Sequence, residues 1–203
     1  MTTAAVILAG GLGRRMGAGD KSQQLLAGRT LLDQAIERLT DQASPIVLSS
    51  NRDHCEYPGI DLPLVKDALK GHLGPLVGIL SAMEWLQENE VQCQWLVSVA
   101  SDTPWYPLDL VERLETAAEN ESAEVVVCAS NGRTHPVFAL WSISLASALR
   151  SSLERGMRKI DAFTADFRTV TVDWPVETID PFFNVNTPEE LAHAESLHHV
   201  VSR

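Results

Sequence analysis

Basic residues are scarce in this 203-residue sequence. Only 16 lysines and arginines stand against 27 aspartates and glutamates, so the formal net charge is −11. Broad nucleic-acid binding requires a dominant positive surface, and anionic membranes attract clusters of basic residues. We therefore expect neither nucleic acid nor a membrane among the partners of this chain. An acidic protein still binds phosphates where cations and backbone N–H groups are concentrated at one place.

Cysteines and long apolar runs are also few. Cys55, Cys93 and Cys128 are far apart, and no Cys-x-x-Cys or Cys/His spacing typical of zinc sites is present. The first apolar run, residues 4–9, is too short for the apolar region of a signal peptide and lacks its basic flank. No other run approaches the length that spans a membrane. These absences predict reduced thiols and a cytoplasmic location.

Short apolar runs alternate with amphipathic stretches along the chain. The predicted strands are residues 4–9, 45–49, 62–65, 95–99, 124–128, 137–141 and 169–173, and the predicted helices are residues 30–39, 76–86, 108–118, 144–153, 158–163 and 187–197. The early elements follow the order β-α-β-β-α-β-α-β, which favours a parallel sheet covered by helices on both faces. With a hydrophobic fraction of 45% and no repeat or obvious linker, the pattern predicts an α/β fold in a single domain, residues 1–203.

The residues that follow the first predicted strand form a glycine-rich loop. From residue 8 to residue 21 the sequence reads Leu-Ala-Gly-Gly-Leu-Gly-Arg-Arg-Met-Gly-Ala-Gly-Asp-Lys, with five glycines in ten residues. Such a backbone adopts positive φ angles and presents successive N–H groups to an anion. Arg14, Arg15 and Lys21 add three cations to this segment. The loop predicts a phosphate-binding site; the alternative is a turn whose basic residues are merely solvated.

Two common phosphate-binding loops do not fit these residues. The P-loop requires glycine immediately before its lysine, but Asp20 precedes Lys21. The dinucleotide-binding pattern Gly-x-Gly-x-x-Gly, begun at Gly11, requires glycine at the position of Met16. An oxidoreductase with a variant dinucleotide loop would also require an acidic residue at the end of the second strand, where Ser49 stands.

A second candidate position follows the predicted strand 95–99. Asp102 stands there within the segment Ser-Asp-Thr-Pro. A carboxylate after this strand points into the same crevice as the first loop, and Mg²⁺ prefers one or two carboxylates together with substrate phosphates and water. The alternative is an Asx-turn before proline.

The first loop resembles the signature Leu-Ala-Gly-Gly-x-x-x-Arg-Met-Gly-x-x-Asp-Lys of sugar-nucleotide-type nucleotidyltransferases, and it is most similar to the molybdenum cofactor guanylyltransferase family. The resemblance implies a Rossmann-like three-layer α/β sandwich with a mostly parallel mixed sheet, as in nucleotide-diphospho-sugar transferases. It also implies Mg²⁺-dependent transfer of the guanylyl group of GTP to the phosphate of molybdopterin or Mo-molybdopterin. Residues 1–130 would then form the nucleotide-binding half and residues 131–203 the acceptor half. Transient partners would be cofactor-biosynthesis proteins and apo-molybdoenzymes.

The resemblance also implies roles for individual residues. In the first loop, the residues that contact the nucleotide are Leu8, Ala9, Gly10 and Gly11. Lys21 neutralises its phosphates, Arg15 assists and Asp102 carries Mg²⁺. The remaining residues implied to bind nucleotide or acceptor are Ser49, Asn51, Asp67, Gly78, His135, Asn184 and Asn186. Ser49 departs from the asparagine that the family often has at this position.

Two of these motifs imply local structure as well. His135 and Pro136 resemble a His-Pro turn that leads into a strand. Asn184 and Asn186 alternate along an extended stretch and therefore share one side, where their amides can hydrogen-bond a pterin or a ribose. Helix initiation explains Thr187, the expected N-cap of the last helix, but it does not explain Asn184.

Two other functions resemble this one. A cytidylyltransferase of the same cofactor pathway would use CTP, although Gly10 and Gly11 resemble the guanine-specific form of the loop. A non-catalytic nucleotide-binding protein that delivers cofactor would not require intact Lys21 and Asp102.

Overall fold

The structure, a computed structural model, describes residues 2–10, 21–71 and 73–201. Its strands are β1 (Thr3–Leu8), β2 (Leu25–Leu26), β3 (Arg29–Thr30), β4 (Ile46–Ser49), β5 (Leu64–Val65), β6 (Trp95–Ala100), β7 (Val125–Ser130), β8 (Arg133–Ser142) and β9 (Thr169–Trp174). Its α-helices are α1 (Leu31–Thr40), α2 (Pro75–Glu88), α3 (Leu110–Glu121), α4 (Ala146–Glu154), α5 (Ile160–Thr164) and α6 (Pro188–Val201). Each predicted strand and helix is present, with ends shifted by a few residues. None of the helices in the described part of the chain is long and apolar enough to cross a membrane.

Seven strands form one sheet in the order β5-β4-β1-β6-β8-β7-β9. All neighbouring pairs are parallel except those that β8 makes with β6 and β7, which are antiparallel. The chain moves outward from β1 through β4 to β5 and then returns to the other side of β1 as β6. This reversal opens a crevice between the carboxyl ends of β1 and β6, the position at which open α/β sheets bind ligands.

Helices cover both faces of the sheet. The apolar side chains of α1 and α3 pack on one face, and those of α2, α4 and α5 pack on the other. The central strand β1 supplies both layers, because Ala4 and Val6 belong to one core while Ala5 and Ile7 belong to the other. A strand buried on both faces has a continuous apolar sequence. This architecture confirms the predicted three-layer α/β sandwich with a mostly parallel mixed sheet; the division into two functional halves stays a prediction.

A short antiparallel pair, β2 with β3, was not predicted. Leu26 pairs with Arg29 across a two-residue turn, in which Ala27 and Gly28 have φ angles of +53° and +80°. Leu26 belongs to a third, smaller core cluster with Leu31, Trp105, Val185 and Ala194. This cluster connects the region after the first loop with α6 near the end of the chain.

The predicted turn at His135 and Pro136 is wrong, because both residues lie inside β8. The actual turn is Asn131-Gly132, whose φ angles of +47° and +73° match a two-residue hairpin. The register between β7 and β8 shifts near Pro136, since Cys128 pairs with His135 while Val127 pairs with Ala139. A bulge accommodates proline, which has no backbone N–H to donate to the ladder.

Candidate active site

A cavity of about 480 Å³ opens at the carboxyl edge of the sheet. Its lining includes nine of the predicted site residues: Leu8, Ala9, Gly10, Lys21, Ser49, Asn51, Asp67, Gly78 and Asp102. The other lining residues are Leu73, Gly74, Pro75, Ala100, Ser101 and Val137. The predicted residues Gly11 and Arg15, together with Arg14, lie outside the described residues. The ends of β1, β4 and β6 and the start of α2 therefore form one site, although they are far apart in sequence.

Lys21 and Asp102 form an ion pair at this cavity. The Lys21 Nζ lies 2.8 Å from Asp102 Oδ2, and the two side chains are only 16% and 18% exposed. Lys21 also donates a hydrogen bond to the side-chain oxygen of Asn186. Water weakens the attraction between an ammonium group and a carboxylate less in a partly buried crevice than at the surface. The cluster therefore places a cation where phosphates can enter the cavity.

The predicted asparagine segment lies directly beside this ion pair. Val185 is fully buried, and its N–H donates to the carbonyl oxygen of Asp102 at 2.8 Å. On either side of Val185, Asn184 accepts a hydrogen bond from the Thr103 hydroxyl, and Asn186 contacts Lys21. The predicted alternation is present, because the two amides lie beside the Asp102 loop while the residue between them is in the core.

The start of α6 holds this segment in place. The Thr187 hydroxyl oxygen accepts a hydrogen bond from the Glu190 N–H at 3.2 Å, as the predicted N-cap should. In return, the Glu190 carboxylate accepts the backbone N–H of Asn186 at 2.6 Å. Together these bonds resemble a capping box and restrict the backbone on which Asn186 is carried.

Asn51 and Asp67 form a paired wall on the opposite side of the cavity. The Asn51 side-chain amide donates to Asp67 Oδ2 at 2.8 Å, and the Asp67 backbone N–H donates to Asn51 Oδ1 at 3.0 Å. The two residues follow β4 and β5, which are parallel neighbours. These two hydrogen bonds join the loops and present a carboxylate and an amide together. Such a combination is suited to the polar edge of a nucleobase.

Gly78 allows α2 to approach the ends of β1 and β4 closely. A Cβ at this position would lie 2.6 Å from Ser49 Oγ and 2.7 Å from Leu8 Cδ2. Since real contacts are not that short, only glycine fits without movement of the neighbours. Gly74 and Pro75, at the beginning of α2, also line the cavity. The N-terminus of this helix is therefore close enough to favour bound phosphate.

His135 does not line the cavity. Its Nε2 lies 2.7 Å from the Ser130 hydroxyl, and its ring stacks on Phe182 with centroids 4.7 Å apart. Burial lowers the pKa of His135 from its ordinary value, while the charge of Asp180 raises this pKa and that of Arg133 lowers it. The structure therefore places His135 among packing and hydrogen-bonding partners rather than at the cavity surface.

The residues at the cavity fit the predicted need for a magnesium ion. Among the described residues, no group of three or more histidines, cysteines, aspartates or glutamates could hold a metal alone. Mg²⁺, however, uses one or two protein carboxylates together with phosphate oxygens and water. Asp102 supplies one such carboxylate at the wall of the cavity, whose volume lies in the ordinary range of small-molecule sites.

Several residues of the site were not predicted. Thr103 contacts Asn184, and Ser101, Leu73 and Val137 line the cavity. Thr103 and Ser101 flank Asp102, so the Ser-Asp-Thr-Pro segment contained the signal for them. Leu73 and Val137 have only their apolar character, which predicts burial and not a place beside a ligand.

Comparisons with known proteins indicate the family of this chain. A family model described as MobA-like NTP transferase domain matches residues 5–169. The molybdenum cofactor guanylyltransferase of Bradyrhizobium sp. (strain ORS 278) is 46% identical over 200 residues, which cover 97% of this chain and 94% of the relative. The protein of the same name from Rhodopseudomonas palustris (strain HaA2) is 45% identical over 194 residues, covering 95% and 91%.

Solved structures extend the likeness to the fold. The molybdopterin-guanine dinucleotide biosynthesis protein A of Archaeoglobus fulgidus is 25% identical, with a TM-score of 0.76 and coverage of 97% of this chain and 99% of that one. A CMP:2-keto-3-deoxy-manno-octonic acid synthetase has the same fold at 10% identity, with a TM-score of 0.75 and coverage of 98% and 99%. The family match and the near-complete overlap with its relatives lead to one conclusion: the chain belongs to the MobA-like NTP transferase family.

Proposed function

We propose that this protein transfers the guanylyl group of GTP to the phosphate of molybdopterin or Mo-molybdopterin and releases pyrophosphate. The observation that carries the proposal is the cluster of Lys21, Asp102 and Asn186 at the cavity, in a chain whose curated relatives are named molybdenum cofactor guanylyltransferases. Because that cluster combines a cation, a carboxylate and an amide, it is suited to a triphosphate and to the acceptor that must meet it.

The reaction needs no nucleophile from the protein. An oxygen of the acceptor's phosphate monoester attacks the α-phosphorus of GTP, and the bond to the bridging oxygen of the β-phosphate breaks. That oxygen keeps the electron pair and leaves as pyrophosphate. Catalysis of such a transfer depends on positioning and on neutralising negative charge.

The residues of the cavity divide these tasks. Lys21 stabilises the charge that develops on the leaving pyrophosphate, an interaction that strengthens in the transition state. Arg15, in the first loop, is proposed to assist it. Asp102 would hold Mg²⁺, which supplies further neutralisation of the phosphates when it is bound. Asn184 and Asn186 orient the acceptor on the side of the cavity that faces α6.

Asp67 supports GTP rather than CTP as the donor. Guanine presents two neighbouring N–H donors on its Watson–Crick edge, whereas cytosine presents one donor beside two acceptors. A carboxylate only accepts hydrogen bonds, and Asn51 holds that of Asp67 at the cavity wall. A cytosine would place a hydrogen-bond acceptor against the carboxylate, which is itself an acceptor. The two groups cannot bond to each other, so both remain unpaired and binding of CTP is weakened.

A nucleotide panel tests this function. Binding of GTP, CTP, ATP and UTP is measured by titration calorimetry with and without Mg²⁺, and turnover is then measured with molybdopterin. We expect GTP to bind best, Mg²⁺ to strengthen its binding, and pyrophosphate to appear only when the acceptor is present. A preference for CTP would identify a cytidylyltransferase, and GTP binding without turnover would identify a non-catalytic delivery protein.

We further propose that the reaction takes place in the cytoplasm, with transient contacts to cofactor-biosynthesis proteins and apo-molybdoenzymes. The product is a labile cofactor, so direct transfer between neighbouring proteins would protect it. Co-purification with crosslinking in the presence and absence of bound product tests these contacts.

A further inference from the structure

The segment from Asp180 to Asn186 is attached to the protein at both ends. Next to the cavity, the backbone of Val185 bonds to Asp102, as described above. At its other end, Asp180 Oδ1 accepts hydrogen bonds from the Ser130 hydroxyl at 2.8 Å and from the backbone N–H of Phe182 at 2.9 Å. Ser130 is the last residue of β7 and is fully buried. The segment thus runs between the carboxyl ends of β7 and β6.

A chain of hydrogen bonds continues from Ser130 to His135. A hydroxyl has one proton, and a carboxylate has none to give. Because Ser130 donates its proton to Asp180, its oxygen must accept from His135 Nε2, which lies 2.7 Å away. The arrangement therefore requires that His135 carries a proton on Nε2. His135 Nε2–H, the Ser130 hydroxyl and the Asp180 carboxylate then form one directed chain.

Aromatic packing surrounds the same end of the segment. Phe182 is only 3% exposed, and its ring stacks on His135. It also packs against Phe138, with centroids 5.1 Å apart, and edge-on against Trp174 at 5.6 Å. The orientation of His135 therefore affects both the hydrogen-bond chain and the packing of Phe182.

We propose that His135, Ser130 and Asp180 are positioning residues that hold Asn184 and Asn186 in register with the acceptor, without contact between these three residues and the substrate. The role in acceptor binding rests on the proposed function, whereas the hydrogen-bond chain does not. The segment has an anchor at each end, and removal of the distal one leaves the amides held by the cavity-side contacts with Asp102, Thr103, Lys21 and the Glu190 carboxylate. The acceptor side of the site then loosens while the nucleotide side, built on β1, β4 and α2, is unchanged.

The experiment compares Ser130→Ala with Ser98→Ala as a matched control. Ser98 is also a fully buried strand serine, and its loss leaves the indole N–H of Trp141 without its 2.9 Å partner. Nitrogen-15 spectra of the histidine rings at neutral pH report the His135 tautomer, and hydrogen exchange reports the protection of backbone amides 182–186. Steady-state kinetics give KM for molybdopterin and for GTP separately.

We expect the Nε2–H tautomer of His135 in the wild type and in Ser98→Ala, and its loss in Ser130→Ala. Ser130→Ala should also expose amides 182–186 to faster exchange and raise KM for molybdopterin about tenfold, with KM for GTP changed less than about twofold. Asp180→Asn keeps an accepting oxygen and should have a smaller effect than Asp180→Ala.

The proposal would be overturned by an Nδ1–H tautomer in the wild type, or by a Ser130→Ala variant with wild-type exchange at 182–186 and wild-type KM for molybdopterin. Equal kinetic effects of Ser98→Ala and Ser130→Ala would also overturn it, because they would indicate a general loss of stability. If the wild type does not use molybdopterin, the proposed function fails, whereas the tautomer and exchange measurements still decide whether the chain of hydrogen bonds exists.

Discussion

Lys21 connects three parts of the molecule that are distant in sequence: the first loop, the loop after β6 and the segment before α6. Its ammonium lies between the Asp102 carboxylate and the Asn186 amide, and both partners line or border the proposed phosphate site. Binding of a triphosphate would give this cation additional negative partners. Lys21 is therefore the described residue whose removal most directly tests the neutralisation of the phosphates.

We expect Lys21→Ala to lower kcat about 10²- to 10³-fold, the range seen when one electrostatic contact to a transition state is removed. Thermal unfolding followed by circular dichroism should show a folded protein with a lower Tm, because the Asp102 carboxylate, only 18% exposed, loses its cation. Lys66→Ala is the control, since Lys66 pairs with Asp53 at 2.7 Å on the surface and should leave turnover unchanged. Near-normal turnover of Lys21→Ala would contradict the assigned role.

His135 also makes stability depend on pH. Because burial lowers its pKa in the folded chain, the unfolded chain takes up a proton first as the pH falls through the ordinary histidine range of about 6.5. The free energy of unfolding should therefore decrease on acidification through that range. Asp180 opposes this effect and Arg133 adds to it.

Urea unfolding of the wild type and of His135→Gln at about pH 7.5 and pH 5.5 measures this contribution. We expect the loss of stability between the two pH values to be smaller in His135→Gln, which has no proton to gain. Equal losses in the two proteins would show that His135 does not contribute to the pH dependence.

The residues of the site differ in how far sequence alone could indicate them. Lys21 and Asp102 were predictable, because each follows a strand end within a distinctive segment. Ser130 and Asp180 were not, since they are separated by fifty residues and are of types that commonly occur in turns and at strand ends. Ser130 and Asp180 come into contact because β9 pairs with β7 and thereby brings the following segment back to the end of β7.

At the scale of elements, α2 comes close to the sheet only where Gly78 permits it. The helix is buried on nearly all sides in its first half, including Leu76, Val77, Ile79 and Leu80. Glycine lowers helix stability by about 1 kcal/mol relative to alanine, so its presence here needs a packing reason. The contacts that a Cβ would make with Ser49 and Leu8 supply that reason.

Gly78→Ala should therefore destabilise the protein in spite of the better helix propensity of alanine. We expect a loss of about 1–3 kcal/mol in the free energy of unfolding, typical of an overpacked core, and weaker nucleotide binding because α2 must move away from the cavity. Urea unfolding and calorimetric titration with GTP measure the two effects.

A double-mutant cycle with Ser49→Gly identifies the cause. Removal of the Ser49 side chain relieves its contact but leaves that of Leu8, so the cost of Gly78→Ala should fall in the Ser49→Gly background without disappearing. A stability cost that is the same in both backgrounds would place the strain elsewhere.

The ends of helices and strands show which local sequence signals were sufficient to predict a boundary. Thr30 caps α1, accepting a hydrogen bond from the Asp33 N–H at 3.0 Å, and α6 begins directly after Thr187, its predicted N-cap. The Asn-Gly pair between β7 and β8 is an equally clear indication of a hairpin turn. The prediction followed the His-Pro motif instead and therefore placed the turn several residues too late. The β2–β3 pair has strands of two residues each, too short for any periodic pattern to indicate.

For the molecule as a whole, the order of elements predicted a parallel sheet but not the place of β8. This strand enters between β6 and β7 in the opposite direction, and the choice of neighbours depends on tertiary packing and not on local sequence. Its insertion brings Val137 to the cavity and moves β7, β9 and the segment after β9 to the far side of the site. The proposed nucleotide side and the proposed acceptor side are thereby built on different strands of one sheet.

Because the nucleotide cavity lies where β1, β4, β6 and α2 meet, a bound nucleotide should stabilise the whole fold. A ligand at 100 times its Kd adds about 2.7 kcal/mol to the free energy of unfolding, which corresponds to a rise in Tm of about 5–10 °C for a domain of this size. We expect GTP with Mg²⁺ to produce this rise, CTP to produce a smaller one at the same concentration, and GMP to produce little because it lacks the β- and γ-phosphates that Lys21 is proposed to neutralise. The Lys21→Ala variant should show a reduced shift with GTP, measured from its own unliganded Tm. Equal shifts with GTP and CTP would contradict guanine selection by Asp67, and an unchanged shift in Lys21→Ala would show that the triphosphate binds elsewhere.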